Sequence, residues 1–553
     1  VSLTLLAVAF TALLVAGYRL YGRWVAVQLG VDDSRVTPAH AKSDGVDYIP
    51  TQRFYLFAQH FSAIAAAGPI AGPILACLHF GWAPCLLWIG FGVVFIGAVH
   101  DFSSLVASLR HGGCSIAEIA REKLGGPAGR ATMAFIWIAL IYVIVAFADI
   151  TAASFARGTE ELEAAGVRFN PGGAVAAASV MYLTLSIVMG VVQRLFSPPL
   201  WLVTLVFVPA TFAVAWAGTL VSDVFVYDTR TWGLLILLYC AVASVVPVWA
   251  LLQPRGYLGG FVLYSALALG VVGILFGGYE LQQPAFAEPD PSKATPALMP
   301  FLFVTIACGA CSGFHGLVCS GTTSKQVDRE SHSKLVGYGA MLAEGFVALI
   351  ALVTVAICSS AELKGLKPGT IYGNGIGEFL TLVIGRDKLP FAITFGAMAF
   401  STFVFDTLDV ATRLGRYLVQ ELLGWRGWSG AAVGTGLTIA PAAFFLWYGG
   451  EGSYLRFWTL FGASNQLLAA LTLLSIAVWL RKEGRGALFV ILPLIFVLTI
   501  TVWALVAIAR KSFADSQGFD VPLANASASV VLLALAAFLV ARAVHEFRAT
   551  PPS

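Results

Sequence analysis

The sequence predicts an all-α fold, a polytopic transmembrane helix bundle. Three observations predict it. Hydrophobic residues fill 58% of the 553 positions and charged residues only 11%, against roughly a quarter charged in an ordinary soluble domain. Mean hydropathy is +0.84. Apolar stretches of about 20 residues, the length that crosses a bilayer as a helix, recur about fifteen times along the chain. That balance excludes both a soluble enzyme and a disordered chain. The formal net charge of +3 is too small to indicate a nucleic-acid partner.

The spans fall near Leu3–Tyr21, Leu56–Phe80, Trp82–Leu109, Ala131–Phe155, Gly173–Val192, Leu200–Val221, Trp232–Leu252 and Tyr257–Gly278. The series continues near Ala297–Ser320, Leu335–Cys358, Pro390–Ala411, Ala431–Tyr448, Tyr454–Leu480, Ala487–Ile508 and Ala528–Val544. Gly377–Ile384 is too short to cross and fits a re-entrant segment. In the first span the charges, Arg19 and Arg23, follow the apolar run, the reverse of a secretory leader, so it is expected to stay as a helix. Lys and Arg gather in Arg110–Arg130, Lys325–Lys334, Arg413–Arg426 and Arg481–Arg485, while the loops near Glu160–Glu163 and Glu280–Asp290 are acidic. Threading the spans puts the four basic sets on one side, which basic short loops mark as cytoplasmic. The N-terminus is then expected outside and the C-terminus in the cytoplasm. Arg510-Lys511, Lys364, Lys367, Arg386 and Lys388 fall on the far side. Three regions follow: residues 1–55 hold the first helix and a cytoplasmic connector, 56–425 a core with broken helices, and 426–553 the C-terminal transmembrane helices.

Within the second span, AAAGPIAGPILA (residues 65–76) places Gly68-Pro69 and Gly72-Pro73 at adjacent turns. Proline inside a helix costs ~3 kcal/mol or more, and glycine about 1 kcal/mol against alanine. In hydrocarbon the freed carbonyls need protein or a wet cavity to receive them. The main chain around Pro69 and Pro73 is therefore expected to uncoil and face a hydrated pocket, with Pro73 opening a second half-helix. The N–H groups just after it, from Ile74 onward, would form a mid-membrane anion site. The duller alternative is a kink that lets a neighbour pack closely.

A second irregular stretch is TIACGACSGFHGLVCSGTTSK, Thr305–Lys325, where Gly309, Gly313, Gly316 and Gly321 mix with Ser312, His315 and further hydroxyls. Gly309 and Gly313 also fit the small-residue spacing of a plain helix interface. In the threading this span runs opposite to Leu56–Phe80. Two interrupted spans of opposite direction are the signature of an inverted repeat, although no internal sequence repeat is visible.

An Asp at the centre of a membrane helix costs ~2.5–3.5 kcal/mol, so each deep charge calls for a reason. Asp101, after His100 in GAVHDFSSL, lies about 13 Å of helix rise from Arg110 and is expected to face the bundle interior. Glu344, in YGAMLAEGFVALI, is similarly deep. Asp406 and Asp409 stand one turn apart; Asp409 can pair with Arg413 at i,i+4, while Asp406 has no such local partner. His60 precedes Gly68 by two turns and titrates in the physiological range in water. Asn465-Gln466, in LFGASNQLLAA, have gluing helices together as their default role and solute contact as the alternative.

The eight cysteines lie mostly in or beside apolar runs and read as small hydrophobes, Cys308-x-x-Cys311 included. No metal or cofactor is expected. Cys114–Gly126 reads as a short helix with a Ser115/Glu118 capping box and a Gly125 stop, either an ordinary surface connector or laid on the cytoplasmic interface by its Ile116, Ile119 and Leu124 face.

QHFSAIAAAGPIAGPILA, GWAPCLLWIGFGVVFIGAVHDF, FLFVTIACGACSGFHGLVCSGTTSKQ, TLDVATRLGRYLVQEL and LFGASNQLLAALTLL resemble, in order from Gln59 to Leu474, the carbon starvation protein A family. That family is similar to the amino acid–polyamine–organocation transporters, and the resemblance implies LeuT-like inverted five-helix repeats with broken helices. It also implies a bacterial inner-membrane protein linked to peptide uptake under carbon starvation, with some members implicated in proton-coupled pyruvate uptake.

The expectation is a non-enzymatic, proton-coupled importer of a small carboxylate-bearing solute, a short peptide or pyruvate. Gly68, Pro69, Gly72, Pro73, Ile74, Ser312, His315, Asn465 and Gln466 are the candidates for solute binding. Asp101, His100, Glu344, Asp406 and His60 are the candidates for coupling. A sodium-coupled carboxylate or amino-acid symporter is the main alternative, since uncoiled carbonyls also bind that ion. A channel would need a continuous polar pore, and no helix shows a sustained polar stripe; a sensor would need a large loop domain. The lipid bilayer is the expected surrounding, and a homo-oligomer stays open.

Overall fold

The apolar stretches read from the sequence are helical, two of them with breaks, in the computed structural model, which describes residues 2–44, 47–158, 160–162, 167–288, 297–425, 427–449 and 454–549. Glu163 and Asp290, at the ends of the two acidic loops, lie outside those residues. In chain order α1 is Leu3–Leu29, α2 Arg53–Ile64, α3 Gly68–Phe80, α4 Trp82–Arg110, α5 Ile116–Leu124 and α6 Gly126–Phe155. A small antiparallel hairpin, β1 (Glu160–Leu162) and β2 (Val167–Phe169), leads to α7 (Pro171–Phe196), α8 (Leu200–Leu220), α9 (Thr229–Val245) and α10 (Leu252–Phe276). Then come α11 (Leu298–Thr305), α12 (Gly313–Gly321), α13 (Lys334–Ala356), α14 (Pro368–Ile384) and α15 (Leu389–Leu423). The series ends with α16 (Gly427–Tyr448), α17 (Tyr454–Lys482), α18 (Leu488–Asp515) and α19 (Val521–Ala549).

Among the described residues twelve helices are long and apolar enough to cross a membrane, and α2 with α3 adds a thirteenth span bent by 47°. The chain is a multi-pass membrane protein. The expected fifteen is not reached as a count of such spans, for two local reasons. Helix α9 stops after 17 residues because Val246 turns extended ahead of Pro247, where the proline ring disfavours helical backbone. The stretch Ala297–Ser320 splits into α11 and α12, of 8 and 9 residues. Gly377–Ile384 does not stand alone as a re-entrant piece; it completes α14.

The chain forms two compact units that interleave along the sequence. One comprises Val1–Ala7, Leu140–Ala285 and Ile350–Phe457; the other comprises Val8–Ala139, Phe286–Leu349 and Trp458–Ser553. In the first unit α14 packs along α15, α7 on α8, and α9 on α16. In the second, a pattern recurs that no sequence repeat reveals. The bent pair α2/α3 is followed by α4, which carries a π-turn at Val93–Gly97; the broken pair α11/α12 is followed by α13, which opens with a π-turn at Lys334–Gly339. The packing is reciprocal: α12 lies on α4, α2 on the π-turn of α13, and α3 on α11.

Helix α5 has the ends read from the sequence. Ser115 Oγ accepts from the Glu118 amide at 3.3 Å, Glu118 Oε2 accepts from the Ser115 amide at 2.7 Å, and Gly125 stops the helix at φ +98°. Its Ile116, Ile119 and Leu124 are buried against α12 and α19 rather than laid on the membrane interface.

Candidate functional site

The first break is shorter than expected and lies earlier. Helix α2 ends at Ile64, and Ala65–Ala67 carry the chain through the bend. Helix α3 begins at Gly68, with Pro69 in its first turn, where a missing N–H costs nothing. Pro73 lies inside α3 and does not open it, a correction to the sequence reading. The first Gly-Pro pair already starts the helix, because Pro69 fixes the φ that a helix needs. Gly68 through Cys77, Ile74 included, are buried in protein. The amides of Ala67 and Gly68 find no acceptor among the described residues.

Gly72 follows the duller of the two readings, close packing of a neighbour, and the residues around Pro69 and Pro73 are helical and buried in protein and do not uncoil toward a hydrated pocket. A Cβ on Gly72 would stand 2.7 Å from the Thr305 carbonyl oxygen, and one on Gly309 would stand 3.5 Å from Pro69 Cα. The two interrupted segments therefore lie against each other, and Gly72 is the space that admits the second.

The second break runs from Ile306 to Ser312, between α11 and α12. Uncoiling frees carbonyls that hydrocarbon cannot satisfy, and three side chains receive them. Gln466 Nε2 donates to Phe303 O at 2.9 Å, Trp458 Nε1 to Thr305 O at 3.0 Å, and Trp88 Nε1 to Ile306 O at 3.2 Å. Asn465 serves the start of α12: its Oδ1 accepts from the Phe314 amide at 2.9 Å, and its Nδ2 donates to Ser312 Oγ at 3.0 Å and to Cys308 Sγ at 3.3 Å. The structure thus gathers Ser312, Asn465 and Gln466 at one place, holding the uncoiled chain.

One turn into α12 the charges converge. His315 Nδ1 lies 2.9 Å from Asp101 Oδ2 on α4, and His315 Nε2 lies 3.1 Å from Glu344 Oε2 on α13. The other oxygen of Asp101 accepts from His100 Nδ1 at 2.7 Å. His100, Asp101, His315 and Glu344 are all buried to within 1% of complete. Two facing acceptors require either an imidazolium or a neutral ring with one carboxyl protonated, and both descriptions contain the same additional proton. Without it the site would hold two bare carboxylates, which burial in low dielectric opposes. Neither oxygen of Glu344 makes a hydrogen bond among the described residues, so Oε2 meets His315 Nε2 as an ion-pair neighbour. His60, on α2, pairs through Nδ1 with Thr323 Oγ1 at 2.8 Å and has Cys319 Sγ 3.8 Å from Nε2.

Asp406 is placed elsewhere. It belongs to the first unit, where Arg255 donates to its Oδ1 through Nε at 2.9 Å and Nη2 at 2.6 Å. Asp409 shares the same guanidinium and also accepts from Tyr239 OH at 2.8 Å. The expected Asp409–Arg413 pair does not form. Arg413 Nη2 instead donates to the carbonyls of Ala243 and Val246, at 2.7 and 2.6 Å, closing the C-terminus of α9. Arg255 and Tyr239 were missed from sequence. The available signal was a lone arginine, in LQPRGYLGG at the head of an apolar span, facing a pair of otherwise unbalanced aspartates.

A family model described as carbon starvation protein CstA matches residues 1–371 and 365–504. The chain is 32% identical to the peptide transporter CstA of Campylobacter jejuni over 91% of this chain and 80% of that one. It is 32% identical to the peptide transporter CstA of Bacillus subtilis, covering 98% and 96% of the two chains. It is 30% identical to the pyruvate/proton symporter BtsT of Escherichia coli, covering 90% and 80%. Among solved structures, a manganese transporter of Eremococcus coleocola aligns over 92% of this chain and 99% of its own, with TM-score 0.47 and 12% identity. The resemblance carried by the motifs between Gln59 and Leu474 thus extends over nearly the whole sequence, and the chain belongs to the carbon starvation protein CstA family.

Proposed function

We propose that the chain is a secondary active transporter of the bacterial inner membrane. It imports a small carboxylate-bearing solute, a short peptide or pyruvate, together with a proton. The observation that carries this reading is the line Asp101–His315–Glu344, an imidazole buried between two carboxylates at the first turn of a broken helix. The names of the relatives, peptide transporters and a pyruvate/proton symporter, support the same class. The solute carboxylate is received at the start of α3, where the amides of Ala67 and Gly68 point out of a half-helix N-terminus, across from the break that Ser312, Asn465 and Gln466 hold. Asp101, His315 and Glu344 take up and release the coupling proton. The recurrence of a break followed by a π-turn helix supports an inverted-repeat architecture. The basic loops support an N-terminus outside and a C-terminus in the cytoplasm.

The test is uptake by proteoliposomes of labelled pyruvate and of a labelled dipeptide, with the outside made acidic. The wild type is expected to accumulate one of them uphill, and Asp101→Asn to lose that accumulation by at least about 100-fold, as removal of a proton-transfer group does, while still inserting and folding. Uphill uptake that follows a sodium gradient and ignores pH would overturn proton coupling. Undiminished uptake by Asp101→Asn would remove Asp101 from it.

A further inference from the structure

On the proton-coupled reading above, we propose that Tyr338 is a positioning residue of the proton line: through its bond to α4 it holds α13 where Glu344 meets His315. Asp101 is fixed by bonds of its own, accepting from His100 Nδ1 at 2.7 Å and lying 2.9 Å from His315 Nδ1. Glu344 is not. Its carboxylate makes no hydrogen bond among the described residues and stands 3.1 Å from His315 Nε2 as an ion-pair neighbour. That gap is therefore set by where its helix lies, and α13 is located by what it touches on α4.

Three approaches locate it, all within the second unit. A Cβ on Gly337 would stand 2.9 Å from Phe102 Cα and 3.3 Å from Asp101 O, and one on Gly345 would stand 2.9 Å from Val93 Cγ2. Helix α13 thus runs antiparallel past α4, packed as closely as the two backbones allow. The two glycines limit approach but do not resist separation. Tyr338 supplies that restraint. Its OH donates to Val94 O at 2.8 Å, and its ring lies edge-on to Phe102, the neighbour of Asp101, with centroids 6.4 Å apart. The side chain is fully buried. The bond joins the π-turn of α13 to the π-turn of α4; such turns are rare in helices and recur at functional sites. A phenol suits the task, because its hydroxyl sits at the end of a rigid ring with few torsions, and a buried carbonyl in a membrane has no water to turn to.

The titratable groups that face the line are His100 on α4, His60 on α2, Cys308 and Cys311 in the second break and Cys319 on α12. Beside Tyr338 stand Tyr18 and Tyr21 of α1, with Lys334 over the Tyr18 ring. Tyr338→Phe removes the bond to Val94 and leaves each of these in place. Helix α13 can then step back from α4, and the imidazole holds its proton less tightly because one of its two carboxylates is farther away.

The test is the pH dependence of uptake by proteoliposomes, with whichever of labelled pyruvate or labelled dipeptide the wild type accumulates. In Tyr338→Phe the pH of half-maximal uptake should fall by about 0.5–1 unit, the scale of lengthening one close ion pair by about 1 Å. Gly337→Ala, which presses a methyl on the Asp101 backbone, should move the midpoint in the same direction. Thr354→Val removes a buried hydroxyl whose bond stays within α13, to Ala351 O at 2.8 Å, and should leave the midpoint where it is. A midpoint that stays or rises in Tyr338→Phe, whatever the rate, would overturn the assignment, and so would an equal fall in Thr354→Val. Where Tyr338→Phe does not insert, Gly337→Ala decides by the same midpoint. A wild type that accumulates neither solute under a pH gradient fails the transport reading itself, and that outcome is visible before any variant is made.

Discussion

Replacing Gly72 by alanine tests whether the two breaks are held against each other. The new methyl would stand 2.7 Å from Thr305 O, and ordinary contact begins near 3.4 Å, so the carbonyl must retreat by about 0.7 Å. It cannot retreat freely, because the same oxygen accepts from Trp458 Nε1 at 3.0 Å, and backbone moves less readily than a side-chain tip. Overpacking of this kind costs roughly 1–3 kcal/mol, and weakening the indole hydrogen bond adds about 1 kcal/mol. Against this stands a gain of up to about 1 kcal/mol for alanine over glycine in a helix. The net loss is about 1–3 kcal/mol. Thermal unfolding of the purified protein in detergent measures it, with Gly436→Ala as control, since nothing lies within 4 Å of a Cβ at that helical position. Trp458→Phe in the Gly72→Ala background should cost less than Trp458→Phe alone, because the hydrogen bond is already strained. A Gly72→Ala protein that melts with the Gly436→Ala control, and shows no coupling to Trp458, would refute the packed-break geometry.

Two further outcomes follow from buried side chains elsewhere. Arg255→Met leaves Asp406 and Asp409 without their shared cation and should destabilise the first unit by about 3–5 kcal/mol; adding Asp406→Asn and Asp409→Asn should restore most of it, and a melting temperature that the added pair lowers further would contradict the charge argument. Ser115→Ala removes one half of the capping box on α5 and should cost about 1 kcal/mol, seen as faster amide exchange over Ile116–Leu124, whereas unchanged exchange would mean that packing on α12 and α19 alone holds the helix.

How far the fold could be read from the sequence depended on the kind of signal. The long apolar runs became helices, apart from the two that break at Ala65–Ala67 and Ile306–Ser312, because exclusion of water from a run of that length leaves the backbone few other ways to satisfy itself. The ends of α5 were legible because a capping box is local chemistry. The breaks were legible as costs, through Gly68-Pro69 and the glycines near His315, but their registers were not. The uncoiled residues are Ala65–Ala67 and Ile306–Ser312, and which residues uncoil depends on which carbonyls a distant Trp458, Trp88 or Gln466 can reach. Depth in the membrane singled out Asp101 and Glu344. That they share His315 could not be foreseen, since residues far apart in sequence meet only through the packing of α4, α12 and α13. The Asp409–Arg413 expectation failed for the same reason. An i,i+4 spacing permits a pair, but Arg255 from α10 offers two carboxylates a buried fork, and the C-terminal carbonyls of α9 claim Arg413.

The two breaks differ in how their polar backbone is satisfied. Around the second, side-chain donors from α4 and α17 hold three carbonyls, so α11 and α12 are anchored where they part. An anchored half-helix can carry His315 at a fixed distance from Asp101 and Glu344, as the proton coupling proposed above requires, since a transfer between heavy atoms fails once they separate beyond hydrogen-bond reach. Around the first, no described side chain donates to the carbonyls of Ala65–Ala67, and the amides of Ala67 and Gly68 have no acceptor. Those groups can be completed by something that comes and goes. Gly72 keeps the two in register, since the carbonyl of Thr305 rests where its side chain would be. The two breaks thus touch at two places, Gly72 on Thr305 and Gly309 on Pro69, so a shift of the first is carried to the backbone of the second.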